Sequence, residues 1–285
     1  MPELPEVEIT RRQLASALTG ATVVSTFVGT QRLRQAVPQD LANRLPGKRL
    51  SCIDRRGKYL LFDFQHQGKD AHLGLLIHLG MSGCFRLAHQ SEPIGRHMHF
   101  AIQFKMDSKQ PATPDIFLRF YDPRRFGLID WLPPAVFSHR LLARLGKEPF
   151  ADDFSADWLY SQLRKRSGPI KPVLMDSHLL VGVGNIYAAE SLFRARISPM
   201  RRACTLSRAQ CLHLVDAIRI TLQNALTAGG SSLRDFTHSD GQLGYFQLQC
   251  AVYGRQGQPC PRCNHPIKQL RQAGRSTFFC SRCQH

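Results

Sequence analysis

Four cysteines close the chain in two knuckles, Cys260-Pro-Arg-Cys263 and Cys280-Ser-Arg-Cys283, with sixteen residues between them. Each knuckle can present two thiolates from one turn, and two such turns complete a tetrahedral zinc site. Four protein sulfurs leave no open coordination position, so one structural Zn²⁺ is expected, not a catalytic one. A redox dithiol is the competing reading. It is disfavoured because the pair occurs twice at ribbon spacing, with no thioredoxin-like βαβ pattern around it. From Gly241 to His285 there is no Asp or Glu, whereas Arg255, Arg262, Lys268, Arg271, Arg275 and Arg282 are all present. A basic hairpin stapled by a metal suits a nucleic-acid groove.

The other end of the chain offers a nucleophile. Removal of Met1 from Met-Pro-Glu-Leu-Pro-Glu-Val-Glu would expose the secondary amine of Pro2. An α-amino group titrates at roughly 7.7–8.0, so part of it is neutral and nucleophilic near neutral pH. Attack on a sugar C1′ would give an iminium, which activates the sugar for elimination, and Glu3 stands next in line to donate or accept a proton. Pro2 is also a common residue that permits Met1 removal, and Glu3, Glu6 and Glu8 equally suit a helix N-terminus. Arg55-Arg56-Gly57-Lys58-Tyr59 enters a strand as a basic cluster. Lys58 there reads as a phosphate ligand, a proton donor or a solvated strand edge. His97 and His99 are expected on one strand face, without a third metal ligand in view. Gly182-Val-Gly184 before Asn185 lacks the third glycine of a dinucleotide fingerprint, so no nucleotide cofactor is expected. It reads as a helix start whose N–H groups, with the Asn185 side chain, receive a phosphate, or as a plain helix cap.

These groups need scaffolds, and the pattern supplies three kinds. From about Thr22 to Leu132 short apolar runs alternate with turn signals. Tyr59–Phe64, Gly74–Leu79 and the alternating Phe100, Ile102 and Phe104 predict a β-sandwich. Ahead of it Val7, Leu14 and Leu18 recur at helical spacing, with Pro5 in the first turn and Gly20 as a stop. Beyond Pro133-Pro134 the period turns helical. Leu206, Leu212, Val215, Ile218 and Leu222 predict a long amphipathic helix capped by Ser207 and ended at Gly229-Gly230-Ser231-Ser232.

Composition narrows the partner. The chain has 285 residues with 38 Lys plus Arg against 21 Asp plus Glu, a formal charge of +17. Such an excess draws polyanions, and the prevalence of Arg over Lys favours forked phosphate contacts. No apolar run reaches the ~18 residues of a membrane span, and no basic amphipathic anchor is present, so nucleic acid is expected and membrane is not. The acidic, proline-rich start is unlike a signal peptide, so the cytoplasm is the expected location. Nine cysteines are an odd number, and Cys52, Cys84, Cys204, Cys211 and Cys250 are scattered, so no disulfide framework is expected. Nothing signals an obligate oligomer; a monomer is the default.

Read jointly, Pro2-Glu-Leu-Pro-Glu-Val-Glu8, Arg56-Gly-Lys-Tyr59, His78-Leu-Gly-Met-Ser-Gly83, Asp122-Pro-Arg-Arg-Phe-Gly127, Gly182-Val-Gly-Asn-Ile-Tyr187, Ser239-Asp-Gly241, Val252-Tyr-Gly-Arg255 and the four cysteines resemble bacterial formamidopyrimidine-DNA glycosylase from end to end. The resemblance implies an α+β multidomain fold: a leading helix and β-sandwich over 1–133, a helix–two-turn–helix domain over 134–238 and a zinc finger over 239–285. It implies a bifunctional glycosylase and abasic-site lyase that removes oxidised purines from damaged double-stranded DNA. Pro2 would be the Schiff-base nucleophile, Glu3 the proton donor in sugar-ring opening, Lys58 a phosphate ligand serving β-elimination, and Arg275 a phosphate ligand serving δ-elimination. Met81, Arg124 and Phe126 would enter the duplex where the damaged nucleotide leaves it, and His97, Arg166, Lys171 and Asn185 would contact DNA. Gly229–Ser232 would close over the flipped base. Met98, Arg166, the long Lys105–Asp115 segment and Cys250 depart from the family pattern. An endonuclease-VIII-like enzyme for oxidised pyrimidines is the near alternative, against which Leu4 weighs. A non-catalytic zinc-ribbon DNA-binding protein is the distant one.

Overall fold

The computed structural model describes residues 1–29, 32–66, 69–88, 95–106, 115–230 and 249–285, which form two compact units. The first comprises Met1–Pro2 and Glu6–Ala143, and the second Glu3–Pro5, Arg144–Gly230 and the C-terminal residues to His285. Most of Lys105–Asp115, residues 231–232 of the glycine-serine loop and Ser239-Asp-Gly241 lie outside the described residues.

The helix α1 spans Leu4–Leu18 with Pro5 in its first turn, where the missing N–H costs nothing, and Gly20 turns the chain away at φ 89°. Val7, Leu14 and Leu18 are fully buried against the sheet. The strands β1 (Thr22–Val28), β2 (Arg49–Arg56), β3 (Tyr59–His66), β4 (Lys69–His78), β5 (Cys84–Ala88), β6 (Met98–Lys105), β7 (Ile116–Tyr121) and β8 (Leu128–Leu132) run antiparallel in the order β5-β7-β6-β1-β2-β3-β4-β8. A short helix α2 (Leu41–Arg44) lies between β1 and β2. Strands β1 and β2 share a single register pair, Thr22 with Arg49, so the sheet bends there into two layers. The layers face each other: Phe62 of β3 meets Phe85 of β5 at 6.0 Å between ring centroids, and Phe85 meets Phe120 of β7 at 5.2 Å. Phe100, Ile102 and Phe104 are completely buried, as the alternation required. Each such side chain contributes about 2–3 kcal/mol.

The second unit is helical. Its helices are α3 (Ala156–Leu163), α4 (Ile170–Leu174), α5 (Asn185–Arg194) and α6 (Arg208–Thr227). Ser207 caps α6 through a capping box with Gln210, satisfying two otherwise orphaned N–H groups. The helix begins where the sequence predicted, but Leu212, expected on its buried stripe, is 51% exposed. Leu214, Val215, Ile218 and Leu222 carry the packing instead, and the 3.6-residue period turns Leu212 outward. Strands β9 (Lys268–Gln272) and β10 (Arg275–Phe279) form a hairpin that turns at Ala273-Gly274, both with positive φ as a type I′ turn needs. Phe278, Ile267 and Val252 pack on Ala189 and Phe193 of α5 and tie the hairpin to the helices. No helix among the described residues is long and apolar enough to cross a membrane.

Candidate functional site

Glu3 is 2% exposed, yet its carboxylate is fully engaged. It accepts from the backbone N–H of Gly184 at 2.6 Å, Ile186 at 3.0 Å and Tyr187 at 3.5 Å, the first turn of α5. Those donors were expected to receive a DNA phosphate; an internal carboxylate holds them, because the orphan amides and dipole of a helix N-terminus favour any anion within reach. Gly184 makes this approach possible, since a Cβ there would lie 2.4 Å from Cδ of Glu3. Leu4 N–H donates to Gly182 at 3.0 Å and completes the clamp. Pro2, buried, is the residue this clamp leads into.

The side chain of Lys171 is 1% exposed. Its ammonium donates to Asn185 Oδ1 at 2.6 Å, Thr277 Oγ1 at 2.8 Å and the Ser276 carbonyl at 3.1 Å, which uses all three donors. Lys171, expected to contact DNA, is buried with its donors spent on protein acceptors. Burial draws its pKa down to about 8, with Glu3 opposing and the Arg275 charge assisting. Asn185 opens α5 and is also hydrogen-bonded to Tyr253, whose ring meets Phe278 edge-on at 5.2 Å. Glu190, which the sequence reading passed over, accepts from the N–H groups of Ala251, Val252 and Tyr253 at 2.8–3.0 Å. An acid inside an otherwise buried helical stretch was the available signal. Arg275 is exposed at the hairpin tip, next to the Ser276 that Lys171 grips. Arg166 is half-buried and paired with Asp176 at 3.1 Å.

In the first unit a two-residue turn, Gly57-Lys58, joins β2 to β3, so the basic cluster ends one strand and places Lys58 between two. His78, at the end of β4, accepts from Gly80 N–H at 2.9 Å. Burial, helped by the charges of Lys58 and Arg34, pushes its pKa down to about 3, so the ring is neutral. It anchors the loop that carries Met81. Asp122, completely buried, accepts from Ser82 Oγ at 2.6 Å, Gly127 N–H at 2.7 Å and Arg124 N–H at 3.3 Å. A Cβ on Gly80 would come within 2.4 Å of Phe126 backbone, and its φ is 68°. The two loops therefore lie in close contact and bring Met81, Arg124 and Phe126 together. Met81 is 37% and Phe126 45% exposed, and the Arg124 guanidinium lies 5.0 Å from the Phe126 ring centre. Core packing, the bland alternative for both apolar residues, does not hold them.

The histidine pair is a correction. His97 is exposed in the turn before β6 with φ 69°, whereas His99 is buried and bonded to the Asp122 carbonyl at 2.8 Å. A register irregularity between Met98 and Phe100 breaks the alternation that would have put them on one face.

Cys260, Cys263, Cys280 and Cys283 offer four sulfurs within 4.8 Å of one another, the only such His/Cys/acid group among the described residues. Zinc–thiolate bonds of about 2.3 Å in a tetrahedron separate sulfurs by about 3.8 Å. The Cys260–Cys283 and Cys263–Cys280 pairs stand at 3.9 and 3.5 Å, so the set fits one zinc ion.

Comparison with known proteins agrees with this geometry. The formamidopyrimidine-DNA glycosylase N-terminal domain family matches residues 1–129, the H2TH domain of the same enzyme residues 145–237, and the zinc finger found in FPG and IleRS residues 257–285. A formamidopyrimidine-DNA glycosylase of Dechloromonas aromatica is 50% identical over 288 residues, covering all of both chains. The Lactococcus lactis Fpg in complex with abasic-site DNA superposes with a TM-score of 0.88 at 35% identity, covering 99% of each chain. A mutant of that protein bound to Fapy-dG-containing DNA gives the same score, identity and coverage. The four cysteines are the zinc-binding set of a zinc finger, and the chain belongs to the formamidopyrimidine-DNA glycosylase family.

Proposed function

We propose that this glycosylase is bifunctional: it removes oxidised purines, 8-oxoguanine and formamidopyrimidines, from duplex DNA through Pro2 and then cleaves the strand. The observation that carries the reading is the Glu3 clamp, which buries an acid directly after Pro2, whose nitrogen becomes a secondary amine once Met1 is removed. In this reading the neutral Pro2 nitrogen attacks C1′ of the flipped nucleotide and the C1′–base bond breaks, the base leaving with the bonding pair and taking a proton from solvent. Glu3 takes the proton released by the new ammonium and delivers it to the ring oxygen as the C1′–O4′ bond opens, leaving an iminium. Loss of a C2′ proton expels the 3′ phosphate, and a second elimination expels the 5′ phosphate. Lys58 and Arg275 bind phosphates and serve these two steps, respectively. Hydrolysis of the iminium returns Pro2.

Extrusion of the base costs a few kcal/mol, and Met81, Arg124 and Phe126 offset part of it by filling the gap. His97, Arg166 and Asn185 contact the backbone, with Lys171 supporting Asn185 from below. The enzyme works as a monomer in the cytoplasm without a nucleotide cofactor, through domains at 1–133, 134–238 and 239–285.

Borohydride trapping on a duplex with 8-oxoguanine opposite cytosine tests the proposal. A covalent adduct is expected from protein that begins at Pro2, and none from protein that carries an extension on Pro2. An adduct formed by the extended protein overturns Pro2 as the nucleophile. A lesion panel in which oxidised pyrimidines are processed faster overturns the purine assignment.

A further inference from the structure

The exposed side of α6 and the end of α5 enclose a groove of about 390 Å³ lined by Arg194, Ala195, Arg196, His213, Asp216 and Ile220, with Ala217 in its floor. Nothing in the chemistry above uses it. Ile220 is 46% exposed, and Leu212, two turns earlier on the same helix, is 51% exposed. Two large apolar side chains left uncovered on one stripe of a well-packed helix mark a contact surface more than a core. The neighbouring Arg219 turns the other way and donates to the carbonyls of Pro149, Ala151 and Phe154, so the outward turn of Ile220 is not a general loosening of the helix.

The rim is cationic. Arg194 is held by Thr221 Oγ1 at 3.3 Å, which aims the guanidinium without neutralising it. Arg196 follows the end of α5 in a left-handed turn at φ 59° and is exposed. Asp216 is the single acid at the groove. The location also separates this surface from the residues proposed to meet DNA in the same unit. Asn185 opens α5 and Arg194 ends it, and nine residues of helical rise set them about 14 Å apart.

We propose that this groove docks an acidic peptide segment of a partner protein that carries bulky apolar side chains. The apolar residues would lie on Ala195, Ala217 and Ile220 and the carboxylates on Arg194 and Arg196. A nucleic acid backbone would meet the same cations but has no use for the apolar floor; Asp216 opposes either anion and leaves the choice to the apolar residues. A contact of this size falls in the weak, transient class.

The test is fluorescence anisotropy with the full zinc-loaded chain and a labelled ten-residue peptide alternating Asp with Phe and Leu. The control peptide carries Ser in place of Phe and Leu, and an undamaged oligonucleotide serves as competitor. Saturable binding is expected, weakened about tenfold or more by Arg196→Glu and by Ile220→Asp, and about tenfold by loss of the apolar side chains. Cleavage of a lesion-bearing duplex by both variants should match the wild type, which also shows that they are folded. No saturable binding, equal binding by both variants, or equal binding of the serine peptide overturns the proposal. Displacement of the peptide by the oligonucleotide in wild type, with oligonucleotide binding lost in Arg196→Glu, assigns the groove to nucleic acid instead.

Discussion

In the sandwich unit Met81, Arg124 and Phe126 show their side chains to solvent, while the backbone beneath them is held by the buried Asp122. In the helical unit the order is reversed: Lys171 and Thr277 are themselves buried, and what Lys171 holds is the half-buried Asn185 and the strand start beside the exposed Arg275. Under the proposed function, the first arrangement leaves apolar and cationic groups free to enter a duplex while their loops stay in shape, and the second fixes the position of polar groups that would meet phosphates at hydrogen-bond distance. Insertion would tolerate side-chain freedom; phosphate contact would depend on placement.

Breaking the metal site should have the largest effect. A structural zinc supplies on the order of 10 kcal/mol of folding free energy in zinc-finger peptides. Cys280→Ser should release the zinc, expose the hairpin to proteolysis and abolish binding of lesion-bearing duplex, with the sandwich unit left resistant. Retained binding without zinc would separate the hairpin from the DNA interface.

Lys171→Met comes next. It leaves Asn185 Oδ1, Thr277 Oγ1 and the Ser276 carbonyl without their shared donor, at a cost of about 2–4 kcal/mol in thermal unfolding. The wild type should also show a pH signature that the variant lacks. The unfolded lysine keeps its proton to about 10.5, while the folded one releases it near 8. Between those values the unfolded chain binds more protons, so stability should rise with pH across that window, by about 3 kcal/mol at most. Below pH 8 both states are protonated and the difference between wild type and variant should be flat. A slope shared by the variant would place its origin elsewhere.

Asp122→Asn should be comparable or smaller, about 2–3 kcal/mol, because an amide cannot accept from Ser82, Arg124 and Gly127 at once. It should also slow lesion cleavage, through the loops. Met81→Ala and Phe126→Ala should shift stability by no more than about 0.5 kcal/mol, as expected for exposed positions, yet lower lesion cleavage several-fold. A large stability loss in either would mean that these side chains pack, and the contrast between the two units would fail.

What could be read from residue order was whatever depends on near neighbours along the chain. The two Cys-x-x-Cys knuckles, the alternation of Phe100, Ile102 and Phe104, Pro5 in the first turn of α1 and the Ser207 cap all act over a few residues, and each took the form its spacing implied. The family motifs likewise pointed to Met81, Arg124 and Phe126, and the loops bring them together. Burial and partnership escaped that reading. Lys171 meets Thr277 across 106 positions, and Glu3 meets Gly184 across 181. Whether a lysine reaches solvent, or a helix N-terminus remains open to an outside anion, is decided by which distant segment arrives first with the complementary group. The irregularity that separates His97 from His99 and the outward turn of Leu212 belong to the same class. Local pattern specifies the elements and much of the chemistry they carry; only packing decides which polar groups are spent holding the protein together and which remain for a partner.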